Sequence, residues 1–420
     1  MVGLWLLVPE HLRLGTWDLL GGWAGGGGGD ISRRLAMQLI HESALCLSGL
    51  RHKRTLNHQG FALANGLPFI ATDVAIHELL AAHTVQQAQQ LQIALGRIRK
   101  SRGHFIGRLL AMDPHRMPSY SKRRMRKRKA HPRDRAAKMA QTFFCLDAET
   151  TQPVCMITGT VARTVTAATA ELLGLTEAIL NPTSNPLVVA DCEHFTAELL
   201  SEVRRAGRFD LLVPMPSQPY FRKRLQALRP EEFTPRWAGY ATAKVPYDLR
   251  GEDSGPPLPM MVQRSGEPPQ PCTFKSFVCT ADRDEVDALC RDFPKRWHIE
   301  EFFRIHQALG WQKAGTQNGN IRYGRMSLAL LAQASLHQLR EHLDDETASW
   351  DAPHLAKDFL GALEGDIRVH DETIVVTYYN APQGAQLREH YERLPQRLCG
   401  EGIDPRIPWL YDFKLDFRFR

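Results

Sequence analysis

The sequence predicts an α/β fold in which helices flank a mixed β-sheet. Two apolar runs of strand length, Arg108–Asp113 (RLLAMD) and Leu187–Asp191 (LVVAD), each end in an aspartate. Between them, residues 166–180 repeat their apolar positions with the period of a helix. At 420 residues the chain exceeds what one hydrophobic core usually serves, so we expect additional domains around the sheet.

The N-terminal part, residues 1–107, is predicted to form a helical domain. Helical patterns cover residues 31–54, 56–65 and 73–83, and the pair Thr84/Gln87 forms a capping box that starts a further helix. Gly25–Gly29 reads as a flexible joint. Two short helices around a Gly/Pro turn fit a DNA-reading helix-turn-helix or an ordinary helical packing unit. The few basic or amide groups in the helix after the turn (VAIHELLAAH) slightly favour the packing unit. The sequence therefore leaves DNA binding and dimerisation open for this domain.

A basic segment follows the first predicted strand. Between Lys122 and Arg135 there are nine Lys or Arg residues against one Asp, a local charge of +8 that exceeds the +7 of the entire chain. Such a concentrated charge indicates a polyanionic partner. The alternative is a solvated, disordered surface arm.

Three more strands complete the predicted sheet. They are Gln141–Leu146, Pro153–Thr158 and Arg208–Pro216. The order is then three strands, a helix and a fourth strand, with aspartates closing the first strand and the fourth. We expect Asp113 and Asp191 to lie at the same edge of the sheet.

Asp147 competes with Asp113 for the role of first acidic residue. It follows the second strand, which should run antiparallel to the first, so it would lie at the opposite edge of the sheet. Aspartate is also a common turn former. We therefore assign Asp147 to the turn before the third strand.

The stretch Phe293–Trp311 (FPKRWHIEEFFRIHQALGW) is predicted to be one helix. At 100° per residue, Phe293, Arg296, Glu300 and Gln307 fall on one stripe, with a glutamate placed among arginines and aromatic residues. The plain alternative is a surface salt-bridge face, in which each ion pair contributes only about 0.3–0.5 kcal/mol.

The spacing Phe293-x2-Arg296-x3-Glu300-x6-Gln307 resembles the Tyr-x2-Arg-x3-Glu-x6-Lys signature of insertion-sequence transposases of the DDE class. Two of the four positions match. Phe293 stands where the signature has tyrosine and Gln307 where it has lysine, and Lys313 is a candidate to supply the missing charge.

The resemblance implies a ribonuclease H-like catalytic domain and metal-dependent cleavage and transfer of DNA strands. It assigns Asp113, Asp191 and Glu300 as the catalytic, metal-binding carboxylates, with Asp113 bridging two Mg²⁺ or Mn²⁺ ions. Hard divalent cations prefer oxygen ligands, and two of them can activate the nucleophile and stabilise the leaving oxygen.

The implied partner is double-stranded DNA, both the element ends and the target, bound by a homodimer. Tyr120 would stack on a flipped base, and the other candidate residues would contact phosphate. The candidate DNA contacts are Arg296, Gln307, Lys313, Tyr120, Lys122, Arg123, Arg124 and Arg126. A non-catalytic DNA-binding protein derived from a transposase is the alternative, and a plain nuclease is the third.

The predicted domains are residues 1–107 (helical), 108–216 plus 281–343 (catalytic), 217–280 (β-rich insertion without helices) and 344–420 (role not readable). Within the last, residues 367–369 and 373–379 are expected to form a hairpin. The eight cysteines form no CxxC pair and lie mostly in apolar runs, which indicates buried thiols in a reducing compartment. With no membrane-length apolar stretch, we expect a cytoplasmic, bacterial, nucleoid-associated protein.

Overall fold

The structure is a computed structural model. It describes residues 2–24, 30–47, 59–68, 70–122, 124–125, 127–129, 135–160, 162–249, 255–267, 270–312 and 315–420. The predicted joint Gly25–Gly29 lies outside the described residues.

The helices are labelled in chain order. They are α1 (Val8–Arg13), α2 (Thr16–Ala24), α3 (Asp30–Ala44), α4 (Gln59–Ala64), α5 (Asp73–Ala82), α6 (Val85–Ser101), α7 (Val165–Leu180), α8 (Ala197–Ala206), α9 (Pro219–Gln226), α10 (His298–His306), α11 (Gly319–Arg340), α12 (Asp345–Ala348), α13 (Ala352–His354), α14 (Gly384–Tyr391) and α15 (Leu394–Gly400). Short 3₁₀ segments cover Gly3–Leu7, Cys192–His194, Pro230–Glu232, Phe293–Trp297, Gln307–Leu309 and Pro408–Leu410. Segments with π-helical bonding cover Asp287–Asp292 and Leu355–Leu360.

The strands are likewise labelled in chain order. They are β1 (Leu109–Pro118), β2 (Lys127–Arg128), β3 (Ala137–Asp147), β4 (Gln152–Thr160), β5 (Leu187–Ala190), β6 (Asp210–Pro214), β7 (Thr234–Trp237), β8 (Tyr240–Tyr247), β9 (Leu258–Ser265), β10 (Thr273–Cys279), β11 (Gly365–His370), β12 (Thr373–Tyr378), β13 (Arg406–Ile407) and β14 (Phe413–Phe419).

The chain forms two compact units. The first, here called the sheet unit, comprises Lys100–Arg116 and Gln141–Phe302. The second, the helical unit, comprises Met1–Arg99, Met117–Ala140 and Phe303–Arg420. The domain limits predicted at residues 107, 216, 280 and 343 remain predictions.

A mixed sheet organises the sheet unit. Within this unit the strands follow the order β3-β1-β5-β6-β10-β9-β8-β7, and β4 also pairs with β3. Strands β1, β5 and β6 are parallel, with Met112 opposite Ala190, whereas β10 runs antiparallel to β6. All of β5 is buried, as expected of a central strand covered on both faces. The predicted mixed α/β architecture is confirmed.

Capping residues mark the beginning and end of helices α7 and α8 in the sheet unit. The side chain of Thr164 accepts a hydrogen bond from the Ala167 N–H at the start of α7, and Asn181 ends it in a left-handed conformation. Thr196 and Gly207 do the same for α8. The limits of α7 therefore agree with the predicted helix over residues 166–180.

The segment 217–280 contains the predicted strands and one helix that was not predicted. Strands β7 to β10 extend the sheet through antiparallel pairs. The expectation that this segment lacks helices is wrong, because Pro219 starts α9. Proline suits a first helical turn, and an eight-residue helix with only Leu225 fully buried shows too little apolar periodicity to be recognised.

Helices pack around α11 in the helical unit. Residues along nearly the whole of α11 are buried, and α3 and α5 pack against it. The predicted capping box is confirmed, because Thr84 and Gln87 exchange its two bonds at α6. The side chain of Thr72 caps α5. No described helix is long and apolar enough to cross a lipid bilayer.

The C-terminal part of the helical unit holds a second sheet with the order β11-β12-β14-β13. The predicted hairpin is confirmed as the antiparallel pair β11–β12. The aromatic tail, whose role the sequence does not reveal, forms β14 and pairs in parallel with β12.

The cysteines are all free thiols, as expected. The expectation that they are buried is only partly right. Cys192 and Cys399 are exposed, because the first lies in a turn after β5 and the second in the last turn of a surface helix.

Candidate active site

The parallel register of β1 and β5 brings two predicted acidic residues together. Met112 lies opposite Ala190, so the next residues, Asp113 and Asp191, leave that pairing side by side. The expectation that β1 ends at Asp113 is wrong, since the strand continues to Pro118. Strand β5 has already ended at Ala190, so the missing N–H of Pro114 interrupts no hydrogen bond between β1 and β5.

Asp147 lies at the other end of β1. The N–H of the next residue, Ala148, donates to the carbonyl of Leu109, where β1 begins. The Asp147 carboxylate is buried and accepts hydrogen bonds from the backbone N–H groups of Gly107, Glu149 and Thr150, at 2.6, 2.9 and 3.1 Å. The prediction that Asp147 forms the turn into the third strand is confirmed.

The segment that carries Glu300 is not the single helix that was predicted. It consists of a 3₁₀ turn over Phe293–Trp297, the α-helix α10 and a second 3₁₀ turn over Gln307–Leu309. Pro294 lacks the N–H that α-helical bonding would use, and the chain enters from a π-helical segment, so the hydrogen-bond register changes along it.

Three contacts fix the start of α10 in the sheet unit. The imidazole of His298 donates from Nδ1 to the carbonyl of Ala148 at 2.7 Å. Ile299 is fully buried, and the ring of Phe302 lies 5.8 Å from that of Phe144 on β3. Glu300 is left on the exposed side of the helix.

Arg296 lies between two of the predicted carboxylates. Its guanidinium Nη1 is 3.8 Å from Oδ1 of Asp113, and its Nη2 is 3.3 Å from Oε1 of Glu300. The 3₁₀ turn that carries Arg296 packs against β5. The Arg296 side chain is only 13% exposed and Asp113 19%, whereas Glu300 is 44% exposed. The structure thus groups Asp113 and Glu300 around a nearly buried cation.

The pKa of Asp113 shows how crowded this site is. Burial, followed by the negative charge of Asp191 and that of Glu300, raises the pKa of Asp113 to about 7, against the opposing charges of Arg296 and Arg116. An acid beside other carboxylates resists ionisation unless a cation compensates. Such a strongly perturbed carboxyl in a group of acids is a common mark of a functional site.

The pKa of Asp191 is shifted in the opposite direction from that of Asp113. Burial favours its protonated form, but a hydrogen bond from His194, a backbone N–H bond from Glu193 and the charge of Arg296 outweigh it and keep the pKa of Asp191 below its ordinary value. His194 Nδ1 lies 2.8 Å from Oδ1 of Asp191, and the imidazole is 1% exposed. Asp191 is therefore ionised and oriented before any ligand binds.

Arg116 and Glu193 form an ion pair beside these acids that no sequence pattern predicts. The two residues are far apart in the chain, and simple strand alternation assigns Asp113 and Arg116 to opposite faces. The Arg116 Nε is buried and has no hydrogen-bond partner among the described residues.

The donor set of the site suits a hard divalent cation. Asp113, Asp191 and Glu300 offer carboxylate oxygens, which Mg²⁺ and Mn²⁺ prefer. The described residues contain no group of three or more His, Cys, Asp or Glu side chains already arranged to hold a metal ion. Arg296, which contacts two of the acids, supplies the positive charge in this arrangement.

The predicted DNA contacts fall in different places. Tyr120 is 68% exposed, and Lys122 and Arg124 are exposed on the segment before β2. Part of the basic segment is ordered, because Lys127 and Arg128 pair with β3. The predicted contacts outside the described residues are Arg123, Arg126 and Lys313.

Gln307 belongs to the helical unit, whereas the acidic residues belong to the sheet unit. Its backbone carbonyl accepts from the N–H groups of Gly310 and Trp311 and so ends the helix. Phe293 fills an apolar contact, with its ring 4.8 Å from that of Phe277 on β10.

Comparison with known proteins gives likeness in structure and no match in sequence. No protein-family model and no curated protein matches the chain. Among solved structures, a cryo-EM structure of a piggyBac transposase synaptic complex with hairpin DNA is similar, with a TM-score of 0.44 and 10% sequence identity. The likeness covers 80% of this chain and 75% of that chain.

Proposed function

We propose that the chain is a DNA transposase of the DDE class, which cleaves DNA strands at the ends of an insertion element and joins them to target DNA. One observation carries the proposal: the β1–β5 register sets Asp113 beside Asp191, and Arg296 links Asp113 to Glu300. These are the three carboxylates and the arginine that the Tyr-Arg-Glu-Lys-type resemblance selects.

The arrangement of the first strands supports a ribonuclease H-like catalytic domain. In the sheet, β1 lies between β3 and the parallel strand β5. Strand β4 is next to β3, and β6 is next to β5. Helix α7 connects β4 to β5. Apart from the two-residue strand β2, the order along the chain is three strands, a helix and a fourth strand, as the resemblance implies.

Asp113, Asp191 and Glu300 would hold the metal ions. When bound, two such ions lower the pKa of the attacking water or 3′-hydroxyl and neutralise charge on the phosphate and the leaving oxygen. If Glu300 held a metal ion, the Arg296 guanidinium, now 3.3 Å from Glu300, would be available to contact a phosphate oxygen. In this scheme His194 fixes the direction of the Asp191 carboxylate.

DNA would contact exposed basic and aromatic residues. Lys122 and Arg124 would contact the sugar–phosphate backbone, and the exposed ring of Tyr120 would stack on a displaced base. Joining two element ends requires two cleavage sites, so we expect a homodimer on DNA.

The test is a nicking assay on a supercoiled plasmid that carries the gene with its genomic flanks. We expect nicking that requires Mg²⁺ or Mn²⁺ and that Asp113→Asn, Asp191→Asn or Glu300→Gln each abolish. Glu301→Gln is the matched control, since Glu301 is the next residue on the same helix and is exposed. DNA binding should persist in all four variants.

Binding without metal-dependent nicking by the wild type would favour the alternative, a non-catalytic DNA-binding protein derived from a transposase. Phe293 and Gln307 favour that alternative, because they replace the hydroxyl and the ammonium of the signature. Nicking without strand joining would instead indicate a plain nuclease.

A further inference from the structure

Helix α9 carries a concentration of positive charge that the catalytic group does not use. Its sequence PYFRKRLQ contains three basic residues and no acidic one. Among the described residues, no carboxylate lies within ion-pair distance of Arg222 or Lys223. The Arg222 guanidinium donates to the Ser217 hydroxyl, at 3.3 Å.

One face of α9 is fixed to the sheet unit. Leu225 is buried, and Arg224 lies 5.6 Å from the ring centre of Tyr247 and donates to the carbonyl of Pro246 at 2.9 Å. The ring of Phe221 packs in the same direction, 6.4 Å from that of Tyr247.

The opposite face of α9 is open. At 100° per residue, Phe221, Arg224 and Leu225 lie on the fixed side and Lys223 points directly away from it. Tyr220 and Arg222 lie at the two edges of the open side, and the Tyr220 ring is 5.5 Å from that of Phe221. Arg222 and Lys223 are exposed, and the Tyr220 ring is 57% exposed. An exposed aromatic ring beside two cations is the combination that binds a nucleic-acid strand, through stacking and phosphate contacts.

Packing ties this face to the catalytic group. Phe195 is the C-cap of the 3₁₀ turn whose N-cap is Asp191, and its ring lies 5.9 Å from that of Phe221 and 5.9 Å from that of Tyr247. The fixed side of α9 therefore packs against the residue that ends the turn after Asp191.

We propose that the open face of α9, formed by Tyr220, Arg222 and Lys223, binds the DNA strand next to the cleaved phosphate. Arg222 and Lys223 contact two backbone phosphates, and Tyr220 stacks on a base that has left the duplex. The face holds the strand in register while Asp113, Asp191 and Glu300 act on it. This inference rests on the proposed function and adds a strand-binding surface to it.

The charge contribution is tested by the salt dependence of DNA binding. The probe is a fluorescein-labelled duplex of random sequence with a single-stranded overhang, titrated without divalent metal. Replacing Arg222 and Lys223 together by alanine should reduce the slope of log K against log[KCl] by about 1.8, since each lost phosphate contact removes about 0.9. Arg205→Ala, an exposed arginine on α8, is the matched control and should leave the slope unchanged.

The stacking contribution is tested at Tyr220. We expect Tyr220→Ala to weaken binding of the overhang probe by about tenfold and Tyr220→Phe to leave it unchanged, because stacking needs the ring and not the hydroxyl. A photocrosslinking amino acid at position 220 should label the strand that is nicked.

The outcomes separate this inference from the proposed function. Wild-type affinity and salt slope in the Arg222/Lys223 variant, with wild-type nicking intact and metal-dependent, would overturn the α9 surface alone. A wild type that neither binds nor nicks the DNA would overturn both. Thermal unfolding of each variant, which should match the wild type because the replaced side chains are exposed, excludes a loss of folding as the cause.

Discussion

The guanidinium of Arg296 lies 3.8 Å from the carboxylate of Asp113. Arg296 also contacts Glu300, so one nearly buried cation links two acids that come from a strand and from a helix. The pKa of Asp113 is raised to about 7 even with this arginine present. The positive charge of Arg296 therefore only partly neutralises the negative charge of the neighbouring carboxylates. The predictions below follow from that arrangement.

Arg296→Gln should impair nicking and move its pH dependence. Arg296 lowers the pKa of Asp113, so its removal raises that pKa further and leaves less carboxylate at neutral pH. We expect nicking at neutral pH to fall by at least about tenfold, and the rise of rate with pH to shift to higher pH. Rate–pH profiles measure both, and Arg304→Gln, an exposed arginine on the same helix, serves as the control. An unshifted profile would contradict the role given to Arg296.

Asp113→Asn should make the metal-free protein more stable at high pH. The pKa of Asp113 is raised from 3.8 to about 7 in the folded state, so its stabilising contribution is present below the unfolded value and is lost as pH rises through the folded value. At about pH 8 the variant should exceed the wild type by on the order of 2–4 kcal/mol, and at about pH 4 the two should be similar. Urea unfolding at both pH values measures the difference. Equal stabilities at the higher pH would show that Asp113 is not perturbed.

His194→Ala should raise the concentration of metal needed for nicking. The buried imidazole holds Asp191 through a 2.8 Å hydrogen bond and helps keep its pKa low. Loss of such a supporting partner typically costs roughly 10–100-fold in metal affinity or activity. Nicking measured across Mn²⁺ concentrations should show this shift, whereas Cys192→Ala, an exposed neighbour, should not. If the variant and the wild type reached half-maximal nicking at the same Mn²⁺ concentration, the supporting role of His194 would be contradicted.

Asp147→Ala should destabilise the protein without removing its chemistry. The Asp147 carboxylate accepts three backbone hydrogen bonds in the turn before β4, and its removal leaves buried N–H groups unpaired. We expect a loss of about 2–4 kcal/mol in the free energy of unfolding. Nicking per folded molecule, measured well below the melting temperature, should be retained. Loss of nicking from a fully folded Asp147→Ala protein would transfer the role of first metal ligand from Asp113 to Asp147.

Much of the sheet was predictable, because its signals are local or topological. The apolar runs that contain β1 and β5 each reach an aspartate, and the antiparallel relation of β1 and β3 was enough to separate Asp147 from Asp113. Capping residues such as Thr84 and Gln87 act within one turn, so the sequence shows them directly.

The remainder depends on contacts that no local pattern encodes. The change from 3₁₀ to α-helical bonding before Glu300 follows from Pro294 and from packing against the sheet, and a helical period alone cannot show it. The Arg116–Glu193 ion pair joins residues from two strand ends, and α9 is too short to show a period. Such features appear only when the tertiary structure is available.

The central claim is that Asp113, Asp191 and Glu300 jointly hold divalent metal on a DNA-cleaving protein. The most direct measurement is the number of Mn²⁺ ions bound by the DNA complex, read from electron paramagnetic resonance of free Mn²⁺ during titration. We expect about two ions per chain in the wild type, with at least one lost in each of Asp113→Asn, Asp191→Asn and Glu300→Gln. Equal Mn²⁺ binding by the wild type and all three variants would contradict the claim.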